Sequence, residues 1–389
     1  MKIIYSWGHT NKELMPLLEA QVREWIDAGY DITPVKDREE LGIIRPWSPQ
    51  ELDRLYHNRD EKLLKLYDKV ERLAETHDIF ICNYGNVYHP EFIKSLKKYN
   101  IYTVICSGDD PENSDYCSKP YVHAFDHAFA WGVNFDEHSR IAEKFLQWGA
   151  RRAGWWPYGV RVDEYDPSLT EEKIYSQKRD IDLVYVGAPG IKLERLAKIK
   201  KAFPQMRIYG MGWGWKAIVG TVLLHSERKA QTLVNVLLGG LWHVRELPMD
   251  EVVPLYQNCK IGINMHMSFG PSNRRTYQLP ANGVMQVCDC PEGLEQVFDI
   301  GKEVLVYHST EEAIELIKYY LEHDDERKEI AAAGFRRTMK DYKRITTFSK
   351  AIEEIKKGML EDGMTHFKDG TVIELGNSSH ESASKPVVS

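Results

Sequence analysis

Short apolar runs of strand length alternate with longer stretches of helical spacing, and this alternation constrains the fold more than any other feature of the chain. The runs at 2–7, 31–35, 78–83 (DIFICN), 101–107 (IYTVICS) and 124–131 read as strands. Between them, residues 12–28 carry Leu14, Leu17, Leu18, Val22, Trp25 and Ile26 at helical spacing. Gly29 follows as a C-cap would. Residues 49–76 read as one long helix with Leu52, Leu55, Leu63, Leu66, Val70 and Leu73 on one face, and 90–99 and 137–149 read as further helices. Strands apolar on both faces belong in a parallel sheet covered by helices on both sides.

The pattern then restarts. Residues 159–180 are polar and contain proline, which marks them as the domain boundary. Strands follow at 182–187 (DLVYVG), 207–209, 260–264, 285–288 and 303–307, with helices at 192–203, 275–282, 310–323 and 325–340. The chain has 389 residues, a length that suits two domains at roughly 100–200 residues each. The expected architecture is α/β, with two Rossmann-like βαβ domains facing across a cleft, at 1–158 and 159–345. A helix at 346–362 is expected to return to the first domain, and the Ser-rich residues 370–389 to form a flexible tail. In open α/β sheets ligands bind beyond the carboxyl ends of the strands. The loops that matter therefore start at Gly8, Tyr84, Asp109, Gly187, Gly210, Asn264 and Asp289.

Composition narrows the function. Apolar residues make up 43% and charged residues 28%, which excludes a mostly disordered chain. A net charge of −7 excludes a general binder of nucleic acid, so any phosphate site must be a local basic pocket. There is no run of about 18 uncharged apolar residues and no secretory signal, so a cytoplasmic protein is expected, with peripheral membrane association as the second option. The six cysteines form neither a disulfide framework nor a CxxC pair, and no cluster has convincing zinc spacing, so no metal is expected. In 217–241 two apolar runs flank His225-Ser226-Glu227-Arg228-Lys229. A buried helical hairpin, a homodimer surface and a membrane-interface helix all remain open for it.

The densest cluster of polar candidates runs from Asn264 through His266, Ser272, Arg274, Arg275, Tyr277 and Gln278. A strand ends, a loop turns, and a helix starts at two arginines whose guanidinium forks match phosphate oxygens. The loop Gly187-Ala188-Pro189-Gly190 lets backbone approach a pyrophosphate, and Lys192 adds charge. Gly212 and Trp213 lie at the next strand end, where an indole could cover a base. Asp109 and Asp110 follow the fourth strand as candidate proton acceptors, structural turn residues or cation ligands, and His9 is an alternative base.

The run NRRTYQLPANGVMQVCDCPEGLEQVFDIGKEVLVY, followed by YYLEHDDERKEIAAAGFRRTMKDY, resembles the C-terminal module of CgeB-like (spore maturation protein B-like) glycosyltransferases. Weaker similarity at DLVYVGAPG, IYTVICSGDDP and FDHAFAW extends it over most of 75–345. The resemblance implies a GT-B fold and a hexosyltransferase. Its co-substrate would be a UDP-, GDP- or dTDP-linked sugar bound by the C-terminal module, with no other cofactor. The acceptor would be a carbohydrate, a protein or a small molecule. A non-catalytic nucleotide-sugar-binding or assembly protein and a sugar-nucleotide epimerase are the alternatives. The family commonly has Glu where this chain has Gln278, five residues before Gly283, at a position that binds ribose hydroxyls in GT-B enzymes. The earlier Glu of the retaining Glu-x7-Glu motif would fall at Gly270, so that motif is missing. On this reading Gln278→Glu should keep the fold and tighten nucleotide binding.

Overall fold

The computed structural model describes residues 1–8, 15–43, 47–108, 113–132, 140–226, 228–241, 244–266, 273–289 and 293–376. His9, Asp109, Asp110, Ser272 and most of the 370–389 tail lie outside the described residues. The chain forms two compact units. The first holds residues 1–130, 142–156 and 348–389, and the second holds 131–141 and 157–347.

The sheet of the first unit has six strands in the order β2-β1-β3-β4-β5-β6. These are β1 (Lys2–Trp7), β2 (Asp31–Lys36), β3 (Ile79–Asn83), β4 (Tyr102–Ser107), β5 (His127–Trp131) and β6 (Ala153–Trp156). The pairings of β1 with β2 and β3, of β3 with β4 and of β4 with β5 are parallel. Ile3, Ile4, Phe80, Ile81, Val104 and Phe129 are wholly buried, as strands covered on both faces require.

The stretch expected as one helix is two, Pro49–His57 and Glu61–Ala74. Arg59 takes a left-handed φ of 54°, and Asp60 restarts the helix by accepting from the backbone N–H groups of Lys62 and Leu63. Helical spacing alone missed the break because every residue in it is polar and suits the solvent face equally well.

The helix Arg344–Glu361 packs in the first unit from Phe348 onward. Phe348 stacks on Trp25 at 4.0 Å, and Arg152 grips Asp362 with a two-pronged fork. Gly358 lies so close to β4 that a Cβ there would collide with the Tyr102 hydroxyl. Gly358→Ala is therefore expected to destabilise the protein by about 1–3 kcal/mol. In a Tyr102→Phe background, which removes that hydroxyl, the same change should be neutral or stabilising, because alanine is the better helix former. Thermal unfolding of the four proteins checks the cycle; equal losses in both backgrounds would remove the contact as the cause.

The second sheet has five strands in the order β11-β10-β9-β7-β8. They are β7 (Ile181–Val186), β8 (Arg207–Tyr209), β9 (Cys259–Asn264), β10 (Met285–Cys288) and β11 (Leu305–Val306), with parallel pairings throughout. The helix Arg275–Ala281 lies tight on β9, since a Cβ on Gly262 would strike the Leu279 side chain.

The polar stretch 159–180 begins this unit just after the change of unit at 156/157 and anchors itself in it through a few buried residues. Leu169 and Ile174 join its core, and the Arg179 guanidinium donates to the carbonyls of Tyr256, Cys259 and Asn282. Burial depresses that guanidinium to about 10. The apolar residues of the stretch are sparse, so its composition reads as linker although its few anchors are buried.

Candidate active site

The cluster that begins at Asn264 assembles at the carboxyl ends of β7, β9 and β10. Arg275 opens its helix and reaches back across two strands. Its Nη1 donates to the Val186 carbonyl at 2.6 Å, its Nη2 to the Met265 carbonyl at 2.8 Å, and its Nε to Asn264 Oδ1 at 3.2 Å. The guanidinium stands over the Tyr185 ring, 5.0 Å from its centroid. A side chain at position 187 would collide with Arg275 Nη1, so Gly187 is required by this close approach. Among the described residues three of the five guanidinium N–H groups are used, and the other two are available to a ligand.

Asn264 is a buried hub. Its amide donates to Thr276 Oγ1 and Gln286 Oε1, and its carbonyl oxygen accepts from Asn273 and Arg275. Both ends are saturated, so it orders the loop rather than offering itself to a ligand.

Lys192 follows Gly190 at the start of the next helical segment and is only 4% exposed. Among the described residues its ammonium has no hydrogen-bond or ion-pair partner; the Tyr185 ring centroid lies 5.8 Å away. Burial, helped by the neighbouring charges of Arg275 and Arg195, pushes the amine down to about 8, with Asp289 opposing. The nearby carboxylate of Asp289 is already engaged. It accepts from the backbone N–H of His266 at 2.9 Å, lies 3.0 Å from His266 Nδ1, and accepts from Arg195 Nη1 at 2.9 Å.

Burial raises the Asp289 carboxyl, but the bonds from His266 and the Arg195 charge outweigh it and hold the group below its usual value. Burial also lowers His266 despite the facing carboxylate, so the imidazole is neutral at pH 7. Its Nδ1–H then donates to Asp289, leaving Nε2 to accept from Thr276 Oγ1 at 3.4 Å. His266, Cys288 and Asp289 lie close enough together to hold a cation, yet both carboxylate oxygens and Nδ1 are already hydrogen-bonded. Three cations around one committed carboxylate make this strand-end a place for an anion with more than one charge.

The other candidates of the sequence fall elsewhere. Trp213 is buried, and its Nε1–H donates to the Gly187 carbonyl at 2.9 Å, so it braces the loop from behind and has no ring face free. Gly212 takes a φ of 78° in the same turn. Tyr277 is wholly buried, with its ring 5.2 Å from Tyr342.

Arg274 and Gln278 turn to a second, buried group. Gln278 Nε2 donates to Glu164 Oε1 at 3.1 Å, Arg274 Nη1 is 3.6 Å from the same oxygen, and Arg161 Nη1 is 3.3 Å from it. The carboxylate at this point of the unit thus comes from Glu164. That changes what is expected of Gln278→Glu. Two carboxylates would meet in a buried site, and the variant should lose about 3 kcal/mol or more at pH 7. Adding Glu164→Gln should restore most of it by exchanging the pair. Chemical denaturation of the single and double variants checks this; an unchanged midpoint for Gln278→Glu would contradict it.

A cluster that the sequence reading passed over sits at the carboxyl end of the first sheet. Asp37 and Arg38 directly follow β2, and both are buried. Asp37 Oδ2 accepts from Ser6 Oγ at 2.9 Å, and Ser6 Oγ is 2.6 Å from the Tyr88 hydroxyl. Asp37 Oδ1 has no hydrogen-bond partner among the described residues and lies where a side chain at Gly8 would be. Arg38 makes one long bond, to Asn86 Oδ1 at 3.5 Å. Burial pushes the Asp37 carboxyl up to about 6, although the Arg38 charge pulls it down. The signal was available, a charged pair at a strand end, but here strand runs straight into helix without the loop residues that drew attention elsewhere.

Lys192 must be protonated to pair with an anion. Affinity for a nucleoside diphosphate is therefore expected to fall as pH rises through about 8. Lys192→Met should bind more weakly and lose that pH dependence. Calorimetric titration with UDP from pH 6.5 to 9.5 checks it; parallel pH profiles for the two proteins would take Lys192 out of the site.

Residues 192–349 match the family described as glycosyl transferase-like. No curated protein matches the chain. Among solved structures, Anabaena HepE in complex with UDP is similar at a TM-score of 0.57 and 12% identity, covering 92% of this chain and 100% of its own. Sucrose-phosphate synthase from Thermosynechococcus elongatus is similar at 0.59 and 10% identity, over 93% and 100% of the two chains. A glycosyltransferase from Rickettsia africae is similar at 0.58 and 12%, over 92% and 98%. With its two parallel sheets the chain has the GT-B fold, and the glycosyl transferase-like match falls on the unit that gathers Lys192, Arg195 and Arg275.

Proposed function

We propose that the protein is a glycosyltransferase that moves a hexosyl group from a nucleoside-diphosphate sugar to an acceptor hydroxyl or amine. The observation that carries the reading is Lys192, a buried side chain whose ammonium has no partner among the described residues, beside Arg275 and Arg195 in the family-matched region. Desolvation disfavours the charged amine, and a diphosphate would offset that cost. The structures of Anabaena HepE with UDP and with UDP-glucose support a nucleotide-sugar donor for this fold.

In the reaction the acceptor atom bonds to the anomeric carbon. The bond from that carbon to the diphosphate oxygen breaks, and the nucleoside diphosphate leaves with the electron pair. Lys192 and the free N–H groups of Arg275 would take up the developing charge, being already oriented before the bond breaks. Arg275 is held by Val186, Met265 and Asn264, so it need not reorganise.

The acceptor's proton needs a base. Asp109, Asp110 and His9 remain candidates from the sequence, and Asp37 adds a described carboxylate with one oxygen unpartnered among the described residues and a value of about 6, close to working pH. The test of the function is a panel of UDP-, GDP- and dTDP-sugars, with release of nucleoside diphosphate followed together with product mass. Nucleotide release with a glycosylated product, or with free sugar when water is the acceptor, supports transfer. An isomerised donor of unchanged mass, or binding without release, would overturn it.

Asp37→Asn is expected to lower turnover by about 100-fold or more while leaving UDP affinity unchanged. Wild-type turnover should fall as pH drops through about 6. The same substitution should stabilise the protein at pH 7.5. A carboxyl whose folded value is raised contributes stability below its unfolded value of about 4, and that contribution is gone above about 6. The gain should be on the order of 3 kcal/mol at pH 7.5 and vanish near pH 4. Melting curves at both pH values, alongside turnover, check it; a variant less stable at pH 7.5 would mean that Asp37 is structural.

A further inference from the structure

Between β8 and the helix Met249–Gln257 the second unit carries a hairpin of two helices, Trp215–His225 and Lys229–Leu238. Its inner side is well anchored. Ile218, Val222 and Val236 enter the unit's core. Ser226 Oγ donates to Glu194 Oε2 at 2.7 Å and lies 2.9 Å from Thr232 Oγ1. The outer side is apolar. Leu224 is 79% and Leu238 74% exposed, and Trp215, Leu223, Val234 and Leu237 are exposed beside them. At helical spacing Leu223 and Leu224 of the first helix and Val234, Leu237 and Leu238 of the second turn away from the buried residues, while Trp215 stands at the start of the first helix on the turn before Ile218. Isolated exposed leucines need no explanation, but five outward-turned apolar side chains on two adjoining helices do.

The charges around the face point to its occupant. From 211 to 241 the sequence has three basic residues, Lys216, Arg228 and Lys229, against one acid, Glu227, a local excess of positive charge in a chain of net charge −7. Lys216, Arg228 and Lys229 are exposed; Glu227 lies outside the described residues. The helices have eleven and ten residues, about half of what a bilayer crossing needs, and among the described residues no helix is long and apolar enough to cross a membrane. Such a face with basic flanks and a tryptophan suits the plane of a lipid surface, with leucines at the acyl boundary and cations among anionic headgroups. A second copy of the chain fits less well, because two-fold pairing of the same patch would bring its cations against one another.

We propose that the hairpin 215–238 docks the protein on an anionic lipid surface. The inference is independent of the sugar-transfer reading. It would also connect to that site, because Glu194, which holds Ser226, lies two residues after Lys192.

The test uses the full chain with phosphatidylcholine vesicles containing or lacking 30% phosphatidylglycerol, read by flotation at low and high salt. Wild type should float with the anionic vesicles, and binding should fall at least tenfold on neutral vesicles or at high salt. Leu224→Glu/Leu238→Glu should lose at least tenfold of the binding with its melting temperature and UDP affinity unchanged, since both side chains are exposed. Lys216→Glu/Lys229→Glu gives a second reading should the leucine variant misfold. Absence of wild-type binding to anionic vesicles, or binding by both variants as tight as that of the wild type, would overturn the proposal. So would a wild-type dimer on size-exclusion chromatography that the leucine variant splits, which would make a second copy the occupant.

Discussion

The candidate site of the second unit depends on one guanidinium. Arg275 ties the carbonyl that ends β7 to the carbonyl that follows β9, and locks Asn264 between them. Strand ends in a parallel sheet leave carbonyl groups pointing at the next loop, and a forked donor can satisfy several at once. The arrangement works because position 187 has no side chain and because Tyr185 supplies a ring for the guanidinium to stand on. Lys192 and Asp289 then take their surroundings from a frame already set. An arginine read from the sequence as a phosphate contact is thus first a brace, with two N–H groups that no described residue uses.

Charge is buried at both sheets at a cost to stability. The Lys192 amine is pushed down and the Asp37 carboxyl up, each because burial disfavours its charged form. A chain selected for stability alone would replace both with neutral side chains. Perturbed groups of this kind concentrate where a protein handles ligands or protons, and each stands beyond the carboxyl end of a parallel strand, where α/β folds bind ligands.

Much of this was legible in the sequence, for definite reasons. The central strands, β1, β3, β4 and β9 among them, could be read because their residues are buried on both faces. The cluster from Asn264 to Gln278 could be read because a strand, a loop and two arginines follow one another in the chain. What could not be read depends on partners distant in sequence. Gln278 looked like a ribose contact until Glu164, more than a hundred residues earlier, appeared against it. Trp213 looked available for stacking, but its indole turns inward to Gly187. The polar stretch 159–180 looked like a linker because burial of a few anchors, Arg161, Glu164 and Arg179 among them, leaves composition unchanged.

The central claim is that the second unit holds the diphosphate of a nucleotide sugar among Lys192, Arg195 and Arg275. Diffraction from crystals grown with UDP tests it most directly. The account predicts diphosphate density within hydrogen-bond distance of the Lys192 ammonium and of an Arg275 N–H group not already bonded to Val186, Met265 or Asn264. Diphosphate density at any other part of the chain, with Lys192 still unpaired, would contradict it.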